Sequence, residues 1–237
     1  MRRTRLLASA LALLAALAGT YMLHRSRTFQ LFGEIQSRVE PITGPAVALT
    51  FDDGPTAGAD PLLDYLRANR VPATFFLTGS GTAEHPEVAR RLVADGHELG
   101  NHTYSHRPMI LRSPSFIRSE VERTDSLIRA AGHAGPIFFR PPYCKKLVGL
   151  PLYLRDTGRL TITFDVEPES DPDVASDADR IVEHVLARAR PGSIILLHPW
   201  YRANEPTRRA VPRIVEGLRA RGFELLTVRE LRERAGE

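Results

Sequence analysis

The chain has 237 residues, of which 43% are apolar and 25% charged, which suits one globular domain with a sizeable core and excludes an intrinsically disordered chain. Its single cysteine, Cys144, excludes an intramolecular disulfide framework. The net formal charge is only +4, and Arg2, Arg3, Arg5, Arg25 and Arg27 account for more than that, so the body of the chain is slightly acidic and indicates no nucleic-acid partner.

The start reads "MRRTR", then runs without charge from Leu6 to Leu23 before "HRSR" restores positive charge. This is the pattern of a signal peptide or an N-terminal membrane anchor over residues 1–27, and either would put the rest of the chain outside the cytoplasm. Ala16-Leu17-Ala18 resembles a cleavage site, whereas the apolar run through Tyr21, Met22 and Leu23 lengthens it toward a span that would contact the bilayer. Both fates fit. Residues 28–41, "TFQLFGEIQSRVEP", show no clear period and read as a lead-in to a domain over residues 42–237.

From there, short β-branched or aromatic runs alternate with longer amphipathic stretches, the pattern of βα units around a parallel sheet. The spacing predicts strands at Ala46 to Phe51, Ala73 to Leu77, Glu98 to Asn101, Ile137 to Arg140, Leu160 to Phe164, Ser193 to Leu197 and Phe223 to Thr227. Helix starts are expected at Asp60-Pro61, at Ser113-Pro114 and after Ser176, where a capping side chain, an N-terminal proline or early acids favour them.

Chemistry collects at the strand ends. Asp52 and Asp53 follow the first strand, His102 and His106 the third, Arg140 closes the fourth, Asp165 follows the fifth, and His198 the sixth. Active sites of (β/α) barrels lie at the C-terminal ends of the strands, so this spread predicts one convergent site. In "NHTYSH" the two histidines are four apart, and on a helical turn they would face one way and clamp a divalent ion. One acid of the Asp52-Asp53 pair would complete the ligand set, and the other would be free to take a proton from water that the cation acidifies. His198, ending "SIILLH", is the candidate acid for the leaving group. Asp165 would orient its ring, and Arg140 would hold the base carboxylate ionised.

These residues, in order, resemble the motifs of the polysaccharide deacetylases, the NodB-homology domain of carbohydrate esterase family 4. "TFDDGP" is similar to the first motif, which implies Asp52 as base and Asp53 as metal ligand. "HTYSH" matches the second and implies His102 and His106 as metal ligands, with Thr103 supporting the loop. "RPPY" implies that Arg140 holds Asp52, and that Pro142 and Tyr143 form a groove wall whose Tyr143 backbone N–H serves the oxyanion. "LLH" implies Leu196 in the acetyl pocket and His198 as acid. "FDVEPES" supplies Asp165 as the partner of that histidine, with Val166 where many members carry Trp.

The resemblance implies an α/β fold, a distorted (β/α) barrel, TIM-like with about seven repeats. It implies a metal-dependent hydrolase that removes acetyl groups from a glycan, with N-acetylglucosamine residues of chitin or peptidoglycan as substrate. Zinc is the ion this ligand set favours, and cobalt or another first-row metal can substitute. Two other readings keep the same residues: a hydrolase of a non-sugar amide or imide C–N bond, and a catalytically silent glycan-binding barrel. "ESDPDVASDAD" lacks the ligand spacing of a calcium loop and suits a helix start. Trp200 and Tyr201 are expected either to stack on a sugar or to pack ordinarily, and Cys144 to be a packed thiol.

Overall fold

A parallel strand covered on both faces must be apolar along its whole length. "AVALTFD" meets that demand except at Thr50 and Asp52, and strand β2, Ala46–Asp52, is buried throughout. It belongs to a computed structural model that describes residue 14 and residues 18–237. Most of the expected leader, residues 1–13 and 15–17, lies outside the described residues. Among those that are described, no helix is long and apolar enough to cross a membrane.

Strand β1, Ile35–Gln36, precedes β2, and β3, Thr74–Leu77, and β4, Glu98–Asn101, follow it; then come β5, Thr161–Ile162, β6, Ile194–Leu197, and β7, Glu224–Leu226. All the pairings between these strands are parallel: β2 pairs with β3, β6 and β7, β3 with β4, and β1 with β5. Single parallel bridges carry the ring onward from Asn101 to Phe139, from Phe139 to Thr161, and from Val166 back to Ile195. The result is the expected distorted barrel, with its fourth strand reduced from residues 137–140 to the bridging Phe139. The fifth stops early because the amides of Asp165 and Val166 both donate to the Ile194 carbonyl, which breaks the regular ladder. Strand β1 was not expected; it lies in the lead-in, where two residues are too short a run to show a period.

From residue 60 onward the helices are α1, Asp60–Ala68, α2, Gly79–Glu84, α3, Pro86–Ala94, α4, Pro114–Ala130, α5, Gly149–Asp156, α6, Pro172–Ala175, α7, Ala178–Arg188, α8, Glu205–Ala220, and α9, Val228–Ala235. Ser113 caps α4 as expected, its hydroxyl accepting from the Phe116 amide at 3.2 Å. Helix α7 begins one residue beyond the expected point, with Asp177 as cap.

Alternation along the strands divides the core in two. Val47, Leu49 and Phe51 face the helices, while Ala46 and Ala48 face the barrel interior beside Phe76, Ile162, Phe164, Ile194 and Leu196. Val228 and Leu231 of α9 join this inner cluster, which puts the helix against the interior fill. Gly100 makes room in it, since a Cβ there would lie 2.5 Å from the Phe76 ring.

Candidate active site

The interior-facing register of each strand runs on past the strand end. Ala46, Ala48 and Thr50 are followed two residues on by Asp52. Gly100 is followed by His102, Phe138 by Arg140, and Leu196 by His198. Each of these four polar residues therefore inherits the inward direction of an apolar or small one, and all four line a single cavity of about 270 Å³. Asp53 has the opposite parity and should point away. It reaches the cavity because its backbone turns into the left-handed region, φ 77°.

The two adjacent acids then find different nearest partners, with Asp52 Oδ2 also 3.7 Å from His102 Nε2. Asp53 Oδ1 lies 3.0 Å from His106 Nε2 and 3.4 Å from His102 Nε2. Asp52 Oδ1 instead accepts a 2.6 Å hydrogen bond from Arg140 Nη1, and both residues are buried. The guanidinium is fixed on every side: Nη1 also donates to Thr50 Oγ1, Nε to the Ile162 carbonyl, and Nη2 to the Thr163 carbonyl, with the Phe76 ring 3.9 Å away. Burial presses its pKa down, and the charge of Asp52 opposes that.

Ligand atoms of Asp53, His102 and His106 all lie within 4.8 Å of one another. His102 Nδ1 donates to the Arg140 carbonyl at 2.7 Å, since a carbonyl can only accept, and this leaves the Nε2 lone pair toward Asp53. Asp53 Oδ1 is buried and has no well-directed hydrogen bond. A buried carboxylate oxygen that faces two imidazole nitrogens without a well-directed hydrogen bond is what a divalent cation would satisfy, so the residues fit a metal. Burial pushes the Asp53 carboxyl up, but the two imidazoles and the charge of His198 hold it well below the usual carboxylate range.

The expected helical turn between the two histidines is absent. His102 and His106 sit on an irregular strap with positive φ at Thr103, 67°, and His106, 53°. Hydrogen bonds replace helical geometry: Asn101 Oδ1 accepts from the Thr103 amide, Thr103 Oγ1 from the His106 amide, and buried Glu120 of α4 from the amide and hydroxyl of Ser105. Thr103 thus supports the loop.

His198 does not meet Asp165. Its Nδ1 lies 2.5 Å from Glu169 Oε2, while Glu169 Oε1 accepts from the His198 amide and the Thr207 hydroxyl. Burial would lower the imidazole's pKa; Glu169, with Asp52 and Asp53 farther off, raises it to about 9. Asp165 follows inward-facing Phe164 and so faces the other way, where it accepts from the Ser193 hydroxyl and the Ile194 amide. Parity therefore already argued against Asp165, although nothing in the sequence singled out Glu169, four residues beyond it.

Of the expected groove residues, Tyr143 and Leu196 line the cavity, whereas Pro142 does not and its neighbour Pro141 lines it instead. Tyr143 is 58% exposed, with its ring centroid 4.7 Å from that of His106. Trp200 is packed inside against Phe75 and over Gly54, where a Cβ would lie 2.2 Å from its ring, so it offers no sugar platform. Cys144 lines the cavity as a buried thiol whose pKa burial raises, opposed by the charges of Lys146, Arg140 and Arg27. One wall comes from the last residues of the expected leader: Arg25 and Arg27 line it beside Phe164, Glu167 and Ser170.

A family model described as polysaccharide deacetylase matches residues 40–162. The chain is 38% identical over 195 residues to a chitooligosaccharide deacetylase of Bradyrhizobium sp. (strain ANU 289), an overlap covering 76% of this chain and 87% of that protein. It is 33% identical over 191 residues to a peptidoglycan-N-acetylglucosamine deacetylase of Bacillus cereus, covering 79% of this chain and 68% of that one. Among solved structures, the Xyl-CE4 domain of a multidomain xylanase from the hindgut metagenome of Trinervitermes trinervoides matches with a TM-score of 0.74 at 34% identity, over 82% of this chain and 92% of that chain.

Proposed function

Since the chain belongs to the polysaccharide deacetylase family, we propose that it hydrolyses the acetamido group of N-acetylglucosamine residues in chitin or peptidoglycan, at the cavity shared by Asp52, Asp53, His102, His106 and His198. The observation that carries this reading is the divergence of the two adjacent acids, one toward two imidazoles and the other toward a buried arginine.

In this reading Asp53, His102 and His106 hold a divalent cation, zinc by preference with cobalt or another first-row ion as substitute, whose charge acidifies water and polarises the acetyl carbonyl. Asp52 takes the proton from the attacking water, and Arg140 keeps its carboxylate ionised and aimed into the cavity. Leu196 receives the acetyl methyl group, and the Tyr143 backbone N–H serves the oxygen that gains charge. His198, kept protonated by Glu169, returns a proton to the departing amine. Each positioned proton transfer of this kind contributes about 10²–10⁴-fold to rate. The exposed Tyr143 ring at the rim suits a chain of sugars better than a small enclosed amide. Glycans of this kind lie outside the cytoplasm, which agrees with an exported or anchored domain.

The test is acetate release by the zinc-loaded protein from peptidoglycan, chitooligosaccharides and acetylated xylan. Release from the first two supports the reading. Release from none, with metal bound and the fold intact, would sink it, and release from xylan alone would move it to O-acetyl esters.

A further inference from the structure

The charges lining or flanking the catalytic cavity are almost all answered by partners. Asp52 is paired with Arg140, Glu169 with His198, and Asp53 with the two imidazoles. On the N-terminal wall, Arg27 Nη2 donates to Glu167 Oε2 and to Ser170 Oγ at 3.2 Å each, and its guanidinium lies 4.4 Å from the Phe164 ring centroid. Arg25 differs. Its Nη1 donates to the Tyr21 hydroxyl at 2.6 Å and its guanidinium lies over the Tyr21 ring, but among the described residues no carboxylate pairs with it.

This wall is built into the barrel. The Ser26 carbonyl accepts from Lys146 Nζ at 2.5 Å, and Lys146 is itself 1% exposed. The Arg27 carbonyl accepts from the Thr163 hydroxyl at 2.5 Å, and the His24 carbonyl from the Lys146 amide at 3.0 Å. Three carbonyl anchors, at residues 24, 26 and 27, hold the backbone on either side of Arg25 against the site. A guanidinium at the edge of a substrate cavity without an acid partner is complementary to an anionic oxygen group, which it binds through a planar fork of donors.

We propose that Arg25, carried on a backbone anchored at His24, Ser26 and Arg27, reads an anionic substituent, a carboxylate or a phosphate, carried by the acetylated sugar or its neighbour. The preferred substrate is then an acidic acetylated glycan rather than a neutral one. This rests on the proposed deacetylase reading and narrows its substrate class. It also makes residues 24–27, at the end of the expected leader, part of the enzyme's specificity.

The experiment uses the full chain loaded with zinc. Acetate release is measured on matched acetylated oligosaccharides that are neutral, carboxylated or phosphorylated, for the parent, Arg25→Gln and Arg25→Lys. The expected result is a kcat/KM ratio, acidic over neutral, that falls about ten-fold in Arg25→Gln through KM, and is partly restored in Arg25→Lys. Whichever acidic substrate shows the larger fall identifies the group as carboxylate or phosphate. Calorimetric binding of the same oligosaccharides to Asp52→Asn, with and without Arg25→Gln, reads recognition apart from turnover. If acetate release fails everywhere but acidic binding still depends on Arg25, the deacetylase reading fails and the anion site stands. An unchanged ratio together with unchanged binding would overturn the proposal. So would an unchanged ratio with weaker flotation on anionic phospholipid vesicles, which would assign Arg25 to a membrane headgroup.

Discussion

Arg140 Nη1 and Asp52 Oδ1 meet at 2.6 Å inside the barrel, where the two residues are 1% and 2% exposed. Removing one member of a buried ion pair strands the other's charge, at a cost of about 3–5 kcal/mol. Arg140→Met should therefore lower unfolding stability by about that much in urea titration, and the double variant with Asp52→Asn should recover part of the loss. An unchanged midpoint in Arg140→Met would show that the pair is not buried in solution.

If the adjacent acids divide the work as proposed, their amide variants should fail differently. Asp52→Asn should lose at least about 10²-fold in kcat while keeping its metal, because only the proton acceptor is removed. Asp53→Asn should lose metal as well as activity. Metal content and acetate release measured on the same samples decide this, and equal metal loss in both variants would refute the division.

His102 and His106 converge on Asp53 from an irregular strap, so neither histidine alone completes the site. His102→Ala and His106→Ala should each weaken zinc binding, and the double variant should retain no tightly held ion after dialysis. One equivalent of metal remaining in the double variant would place the cation elsewhere.

Glu169 raises the pKa of His198 to about 9, so the proposed acid stays protonated through neutral pH, and activity should fall as pH rises through that value. Glu169→Gln should move this alkaline limb of kcat/KM down toward the ordinary 6.5, whereas Asp165→Asn should leave it in place. Stability follows the same sign. A pKa raised on folding gives a contribution that is full below about 6.5 and is lost as pH rises through about 9. A limb that moves in Asp165→Asn instead would restore the expected pairing.

Gly100 leaves room for Phe76 inside the barrel, with an added Cβ falling 2.5 Å from the ring. Gly100→Ala should cost about 1–3 kcal/mol by overpacking, measured by urea unfolding. Phe76→Leu should relieve part of this in the double variant, and additive losses would show that the two positions do not touch.

The barrel was legible in the sequence as short apolar runs, and much of the site because the inward direction of strand-end residues follows from a period of two. Short β-branched and aromatic runs placed six of the seven expected strands, and continuing each interior register by one step delivers Asp52, His102, Arg140 and His198 to a common cavity. The same rule, applied strictly, turns Asp165 outward. What it could not reveal is a residue beyond the ladder, such as Glu169, or a strand as short as Ile35–Gln36.

Local order along the chain thus determined which face each strand-end side chain takes, since pleat and register are properties of neighbouring residues. Tertiary structure alone decided the rest. It turned Asp53 through a left-handed φ to join two histidines, bent a strap without helical geometry around them, and brought Glu169 to His198. It also folded Arg25 and Arg27 back over a site more than twenty residues further along the chain. Each of these depends on a backbone conformation stabilised by distant partners, Glu120, Thr207, Lys146 and Thr163 among them, and no local pattern encodes a contact with a residue that only the closed barrel brings near.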